Sequence, residues 1–295
     1  MSDKSQYVIE AGEVEALLGR DKLRLVDGSW YLPAQNRNGR AEYLASRIPG
    51  AVYFDIDEIS DKSSALPHML PTPENFGAAM GALGISRDDD IIVYDGPGMF
   101  SAARVWWSFR IMGATSVRIL DGGFDRWKAE GRPVETGTPG APQKAVFEAR
   151  PDLTRVRGIG EMRANLKSGN AQVFDARPFA RFCGTAPEPR PGLRSGHIPG
   201  SQPVPATELF ADGRLKPLDE LRAVFETVSL AMDRPVITTC GSGVTAAVIT
   251  LALESIGHRD HALYDGSWSE WGQAEDAPVA QWLDGNISGK TSVRE

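Results

Sequence analysis

The sequence predicts an α/β protein of two tandem units, each a parallel sheet covered by helices on both faces. Three observations lead there. The two halves of the chain carry the same punctuation in the same order; short β-rich runs alternate with longer helical stretches inside each half; and 295 residues suit two domains.

The repeat is read element by element. The first half has a strand-like Leu23–Asp27, then Arg47-Ile-Pro-Gly-Ala51, then Ile91-Ile-Val-Tyr-Asp95-Gly-Pro-Gly98, then Leu120-Asp-Gly-Gly-Phe-Asp-Arg-Trp127. The second half answers with Gln172-Val-Phe-Asp175, His197-Ile-Pro-Gly-Ser201, Val236-Ile-Thr-Thr-Cys240-Gly-Ser-Gly243 and Tyr264-Asp-Gly-Ser-Trp-Ser-Glu-Trp271. The separations between matching segments drift by only a few residues, so one ancestral unit is used twice. Ile91–Tyr94, Val117–Leu120, Val236–Thr239 and Ala262–Tyr264 read as strands, and Ala102–Met112 and Val244–Ile256 as helices. Between the halves, Gly137-Thr-Pro-Gly-Ala-Pro142 has no periodicity and reads as a connection. The expected organisation is a first unit over 5–137, a linker over 138–157 and a second unit over 158–283.

Composition excludes several function classes. Lys and Arg total 32 against 39 Asp and Glu, a formal charge of −7, so no general positive field exists to hold nucleic acid or an anionic membrane. Two Cys cannot supply a disulfide framework, and no Cys-x-x-Cys or His-x-x-x-His pair suggests zinc. The first fifteen residues carry Asp3, Lys4, Glu10, Glu13 and Glu15 without an apolar run, unlike a secretory signal. The longest weakly polar stretch, Val244–Leu253, is too short to span a bilayer. A cytoplasmic setting is expected.

In parallel α/β sheets ligands sit beyond the carboxyl ends of the strands. Cys240 stands there, at the end of a β-branched run, and opens Cys240-Gly-Ser-Gly-Val-Thr245 before the next helix. Gly241 and Gly243 let successive N–H groups turn inward, and the helix N-terminus adds partial positive charge. A thiolate held there is expected to have a depressed pKa and to act as a nucleophile. The first unit has Asp95 at the matching position, so one unit is read as active and the other as scaffold. A phosphatase loop would need Arg six residues after the Cys, and position 246 is Ala.

Residues 176–198 hold Arg177, Arg181, Arg190, Arg194 and His197 against one acid, Glu188, a net positive segment in an acidic chain. Part of it, Arg181 to Gly192, is a long irregular loop in the unit that keeps the Cys. Arginine forks match carboxylates, so a small carboxylate substrate is expected. Arg177 and Arg194 are read as lying outside the site.

These residues resemble the two-domain sulfurtransferases with tandem rhodanese units, specifically the 3-mercaptopyruvate sulfurtransferases. The resemblance runs through Ser29-Trp-Tyr-Leu-Pro33, Arg47-Ile-Pro-Gly, Phe54-Asp-Ile-Asp57, His68-Met-Leu-Pro71, Arg104-Val-Trp-Trp107, Leu120-Asp-Gly-Gly, the Gly184-Thr-x-Pro-Glu-Pro-Arg190 loop and Cys240-Gly-Ser-Gly-Val-Thr245. It implies two rhodanese-like units, the first inactive and the second catalytic. It implies that Cys240 accepts sulfur as a persulfide, that Arg181 and Arg190 bind the substrate's carboxylate and keto oxygen, and that Ser242, His68 and Asp57 form a proton relay. Gly241, Gly243, Val244 and Thr245 complete the substrate-binding loop. Thiosulfate-specific relatives carry Arg and Lys after the Cys, so neutral Gly241 and Ser242 point to mercaptopyruvate. The chain departs from the pattern at Arg47, where His is usual, and at Cys183, where Arg is expected.

The implied reaction moves sulfur from 3-mercaptopyruvate through Cys240 to an acceptor thiol, such as thioredoxin or a low-molecular-weight thiol, or to cyanide, releasing pyruvate by a ping-pong route that needs no metal or organic cofactor. A monomer is expected. The alternatives are thiosulfate:cyanide transfer and a non-catalytic sulfur- or redox-sensing module using Cys240 and Cys183.

Overall fold

The computed structural model of the chain describes residues 3–282 and 292–293; residue 283, the expected end of the second unit, lies outside them. Two compact units are present. The first comprises Met1–Ser63, Leu70–Leu153 and Phe210–Leu218; the second comprises Ser64–Met69, Thr154–Leu209 and Asp219 onward.

In the first unit the chain runs β1 (Val8–Ile9), α1 (Ala11–Leu17), β2 (Leu23–Asp27), α2 (Gly39–Ala45), β3 (Val52–Tyr53), α3 (Pro73–Ala82), β4 (Asp90–Tyr94), α4 (Ala102–Ile111), β5 (Ser116–Leu120) and α5 (Gly123–Ala129). The strands form one sheet in the order β1-β5-β4-β2-β3, every pair parallel. Ile91 to Tyr94 are all buried, as a central parallel strand covered on both faces requires.

The second repeat runs β6 (Val156–Arg157), α6 (Ile159–Ser168), β7 (Gln172–Asp175), α7 (Phe179–Cys183) and β8 (Gln202–Pro203). The hairpin strands β9 (Phe210–Ala211) and β10 (Arg214–Leu215), which belong with the first unit, follow. The chain then continues through α8 (Leu218–Thr227), β11 (Val236–Thr239), α9 (Ala246–Ser255), β12 (His261–Tyr264) and α10 (Ser267–Trp271). Its sheet, β6-β12-β11-β7-β8, is also wholly parallel and repeats the first in order. Both are α/β layers with helices flanking a parallel sheet. Helix α9 is buried from Ala246 to Glu254, so it is covered on every side rather than along one stripe.

The repeat extends to single hydrogen bonds. Trp127 and Trp271 are both fully buried, and their indole N–H groups donate to Pro133 O at 2.7 Å and Pro278 O at 2.9 Å. Each anchors its unit's core, with Ile92, Tyr94 and Leu120 in the first and Val173, Ile237 and Tyr264 in the second.

The stretch expected as a linker, 138–157, is not a free connection. Ala145 N–H bonds Gly81 O, Arg150 N–H bonds Met112 O, and Phe147 is buried against Phe76 and Phe109. Gly77 and Gly81 permit this approach, because a Cβ on either would stand under 3 Å from a carbonyl oxygen of Phe147 or Ala145. The rest of the stretch enters the second unit, where Val156–Arg157 is an edge strand. The division falls between Leu153 and Thr154.

Candidate active site

Strand β11 delivers Cys240 to the carboxyl edge of the second sheet, where the thiol is buried at 2% exposure. The loop between β11 and α9 is fixed from behind by the start of α10. Cys240 O accepts the Trp268 N–H at 2.9 Å, and Gly241 O accepts both the N–H and the hydroxyl of Ser269 at 2.8 and 2.7 Å. The Cys240 N–H donates to Ser267 Oγ at 3.2 Å, and that hydroxyl donates to Tyr264 O. Gly243 turns the loop at φ +78°, a conformation that costs a side-chain-bearing residue. Ser242 and Val244 are buried, and Gly241 and Thr245 half-buried.

The first unit shows how such a loop surrounds a side chain. Phe124 N–H bonds Asp95 O and Asp125 N–H bonds Gly96 O, the same two bonds that α10 makes to Cys240 and Gly241. On this common scaffold Asp95 Oδ2 accepts the N–H groups of Phe100 at 3.0 Å and Ala102 at 2.8 Å, and the Ser101 hydroxyl at 3.3 Å. Burial pushes the Asp95 carboxyl up, and the loop's N–H groups oppose that. The loop between strand and helix therefore gathers hydrogen-bond donors around one buried side chain, at the position that Cys240 holds in the other repeat.

Ser242 and His68 are brought together. His68 Nδ1 is 3.0 Å from Ser242 Oγ, both residues are buried, and Ser64–Met69 belongs with the second unit although in sequence it falls inside the first repeat. His68 sits at φ +61°, a left-handed backbone that His tolerates only at a cost. Asp57 belongs to the first unit, where its Oδ2 accepts the Trp30 indole N–H at 3.0 Å.

The four arginines have distinct surroundings. Arg181 lies beside the Cys240 loop, since a Cβ on Gly241 would stand 3.1 Å from its Nη2. The carboxylate of Glu188, on a side chain 1% exposed, takes Arg181 through Oε2 and Arg177 through Oε1 at 2.7 Å. Arg177 is not a solvated charge: it is buried, pairs with Asp175 through Nε and Nη2, donates to Gly196 O, and lies over the Trp268 ring at 4.3 Å. Arg194 is not a free surface charge either, because it donates to the carbonyls of Trp271, Gly272, Ala274 and Ala277 and so fastens the chain after α10. Arg181 lies in α7 rather than in an irregular loop, and Arg190 is half-buried in the segment that follows that helix.

Comparison with known proteins places this geometry. The rhodanese-like domain matches the chain twice, over residues 10–130 and 159–274. The chain belongs to the rhodanese family. Among relatives, a 3-mercaptopyruvate sulfurtransferase of Escherichia coli is 46% identical over 259 residues, covering 88% of this chain and 92% of that protein. A mitochondrial thiosulfate/3-mercaptopyruvate sulfurtransferase of Arabidopsis thaliana is 41% identical over 296 residues, covering 93% and 78%. Among solved structures, SseA from Escherichia coli, described as a 3-mercaptopyruvate sulfotransferase with a rhodanese fold, superposes with a TM-score of 0.82 at 41% identity, over 89% of this chain and 98% of that one.

Both rhodanese units keep a helix-capped loop at the same strand end, and among the described residues only Cys240 offers a thiol there. Cys183, the second thiol, is buried at the end of α7, and burial pushes its pKa up. His197 stacks on Phe182 with ring centroids 3.9 Å apart and bonds its carbonyl through Nδ1. The matching Arg47 is fully buried, paired with Glu135 and bonded to Gly137 O, so its substitution is a packing matter. Sequence reasoning passed over Glu188 as the odd acid among arginines; that isolation was the available signal. Among the described residues no group of three His, Cys, Asp or Glu could hold a metal, and no helix is long and apolar enough to cross a membrane.

Proposed function

We propose that the chain is a 3-mercaptopyruvate sulfurtransferase working through a persulfide on Cys240. The Asp95 loop carries this reading: the loop type that gathers N–H groups around one buried side chain holds a thiol in the second unit alone. The Cys240 thiolate attacks the substrate's thiol sulfur, the carbon–sulfur bond breaks, and its electron pair leaves as the enolate of pyruvate. The proton that the enolate takes up at carbon balances the one that the persulfide gives up. An acceptor thiolate or cyanide then attacks the outer sulfur, the sulfur–sulfur bond breaks, and the Cys240 thiolate returns.

Arg181 and Arg190 are assigned to the carboxylate and keto oxygen, where guanidinium forks orient the keto acid and stabilise enolate charge. The Ser242–His68 pair is assigned to proton handling, supported by its 3.0 Å separation, with Asp57 added on the family resemblance. Gly241, Gly243, Val244 and Thr245 supply the loop around the sulfur. Neutral Gly241 and Ser242 favour mercaptopyruvate over thiosulfate, the second donor in the Arabidopsis relative's name. The sensing alternative is weakened by the burial of both thiols. We further infer a monomer in the cytoplasm, with thioredoxin or a small thiol as acceptor.

The test is donor turnover with mass spectrometry. Mercaptopyruvate should yield pyruvate and add one sulfur to the Cys240 peptide, and Cys240→Ser should do neither while keeping its circular-dichroism spectrum. Pyruvate release at the wild-type rate by the Ser variant would overturn the reading.

A further inference from the structure

Four charged side chains line up behind the nucleophile loop. Asp175 holds Arg177, Arg177 holds Glu188, and Glu188 holds Arg181. Asp175, Arg177 and Glu188 are each 1% exposed, whereas Arg181 is 18% exposed and borders Gly241. Two cations and two anions leave the row with no net charge. The only member that borders the loop therefore presents its positive charge with a buried negative charge directly behind it.

Glu188 also fixes how Arg181 is presented. It takes Nε at 3.2 Å and one N–H of Nη2, which leaves the second N–H of Nη2, beside Gly241, and both of Nη1 to meet a substrate anion. Without the carboxylate the guanidinium would swing on its four-bond stem, and the loop region would gain one unit of positive charge. A partly desolvated pocket amplifies such a change, and a dianion gains more from it than a monoanion.

We propose that Glu188 is a positioning and donor-selecting residue: it orients Arg181 beside Cys240, and its charge holds the site to substrates carrying one full negative charge. The inference rests on the mercaptopyruvate reading above, where the donor carries one carboxylate and the rival donor, thiosulfate, is a dianion. It adds a second determinant to the neutral Gly241-Ser242 pair, placed on the opposite partner of Arg181.

The test is the ratio of kcat/KM for thiosulfate to kcat/KM for mercaptopyruvate, measured on one sample so that any inactive fraction cancels. Glu188→Gln keeps the shape and loses the charge, and should raise this ratio at least about fivefold. Glu188→Asp keeps the charge and shortens the reach, so it should lower kcat/KM for both donors and leave the ratio within about twofold of wild type. A ratio unchanged in Glu188→Gln, or raised equally in Glu188→Asp, would overturn the proposal. Should Glu188→Gln fail to fold, Glu188→Asp decides alone: a preserved ratio with slower turnover supports the assignment, and a shifted one removes it. A wild type that turns over no mercaptopyruvate is a separate result, and it would fell the function rather than the role of Glu188.

Discussion

The imidazole Nδ1 of His68 lies 3.0 Å from the Ser242 hydroxyl, reached from a backbone held at φ +61°. Strain of this kind persists where the surroundings over-determine it, and here the surroundings include the loop that carries Cys240. Ser242→Ala and His68→Asn should each lower kcat on mercaptopyruvate about a hundredfold, the usual range for a lost proton-transfer group. If the two act as one, the double variant should lie within about threefold of the worse single variant, and steady-state kinetics on all four proteins checks this. Fully multiplied losses would separate them.

The arginine variants should fall into two kinds. Arg181→Lys and Arg190→Lys keep the charge and lose the planar fork, so kcat/KM should drop about tenfold to a hundredfold with urea stability nearly unchanged. Arg177→Met should instead destabilise by about 3–5 kcal/mol, because Asp175 and Glu188 would lose their buried partner. Arg194→Lys should cost on the order of 1.5–3 kcal/mol in stability while kcat/KM of the folded enzyme stays within about threefold. Urea midpoints beside kinetics distinguish the kinds.

Replacing Gly241 and Ser242 together by Arg and Lys should move donor preference toward thiosulfate. The change also removes the hydroxyl that His68 meets, and it places a side chain 3.1 Å from Arg181 Nη2. Mercaptopyruvate turnover should therefore fall more than thiosulfate turnover rises. Paired steady-state assays read both; unchanged mercaptopyruvate turnover would contradict the geometry.

Stability of the first unit should depend on pH through Asp27. Its carboxyl is pushed up to about 7, first by burial and further by the nearby Asp95 charge. A carboxyl whose folded pKa lies above its unfolded value contributes stability that is complete below the unfolded pKa near 3.8 and is lost as pH rises toward about 7. The protein should resist urea better at pH 5 than at pH 8, by on the order of 2–4 kcal/mol for this group. Asp27→Asn should flatten that dependence and raise the midpoint at pH 8. The matching Asp175 should show no such gain on substitution, since there Arg177 pairs with the carboxylate.

The parts of the fold legible in the sequence were those written in local pattern. Buried central strands such as Ile91–Tyr94 and Val236–Thr239 are continuous apolar or β-branched runs, and the duplicated punctuation gave the tandem α/β plan. Two-residue edge strands such as Val156–Arg157 carry no periodicity and take their form from a neighbour, so 156–157 passed as linker. Cys240 and its loop were legible from glycine spacing and from the contrast with Asp95. The burial of Arg177 and Arg194 was not, because a charge reads as solvated unless its partners are known, and Asp175, Glu188 and the carbonyls after α10 meet them only once the chain has folded.

The interleaving of chain segments bears on how this duplicated gene can change. Ser64–Met69 is encoded within one copy and belongs to the other unit, and Phe210–Leu218 is the reverse. No single cut in the coding sequence liberates either unit whole: a fragment starting at Thr154 would carry Cys240 without His68. Once the copies had traded these pieces, deleting the copy without a thiol would have cost the other one its histidine. The repeat that lacks the thiol thus carries six residues that belong with the unit holding Cys240.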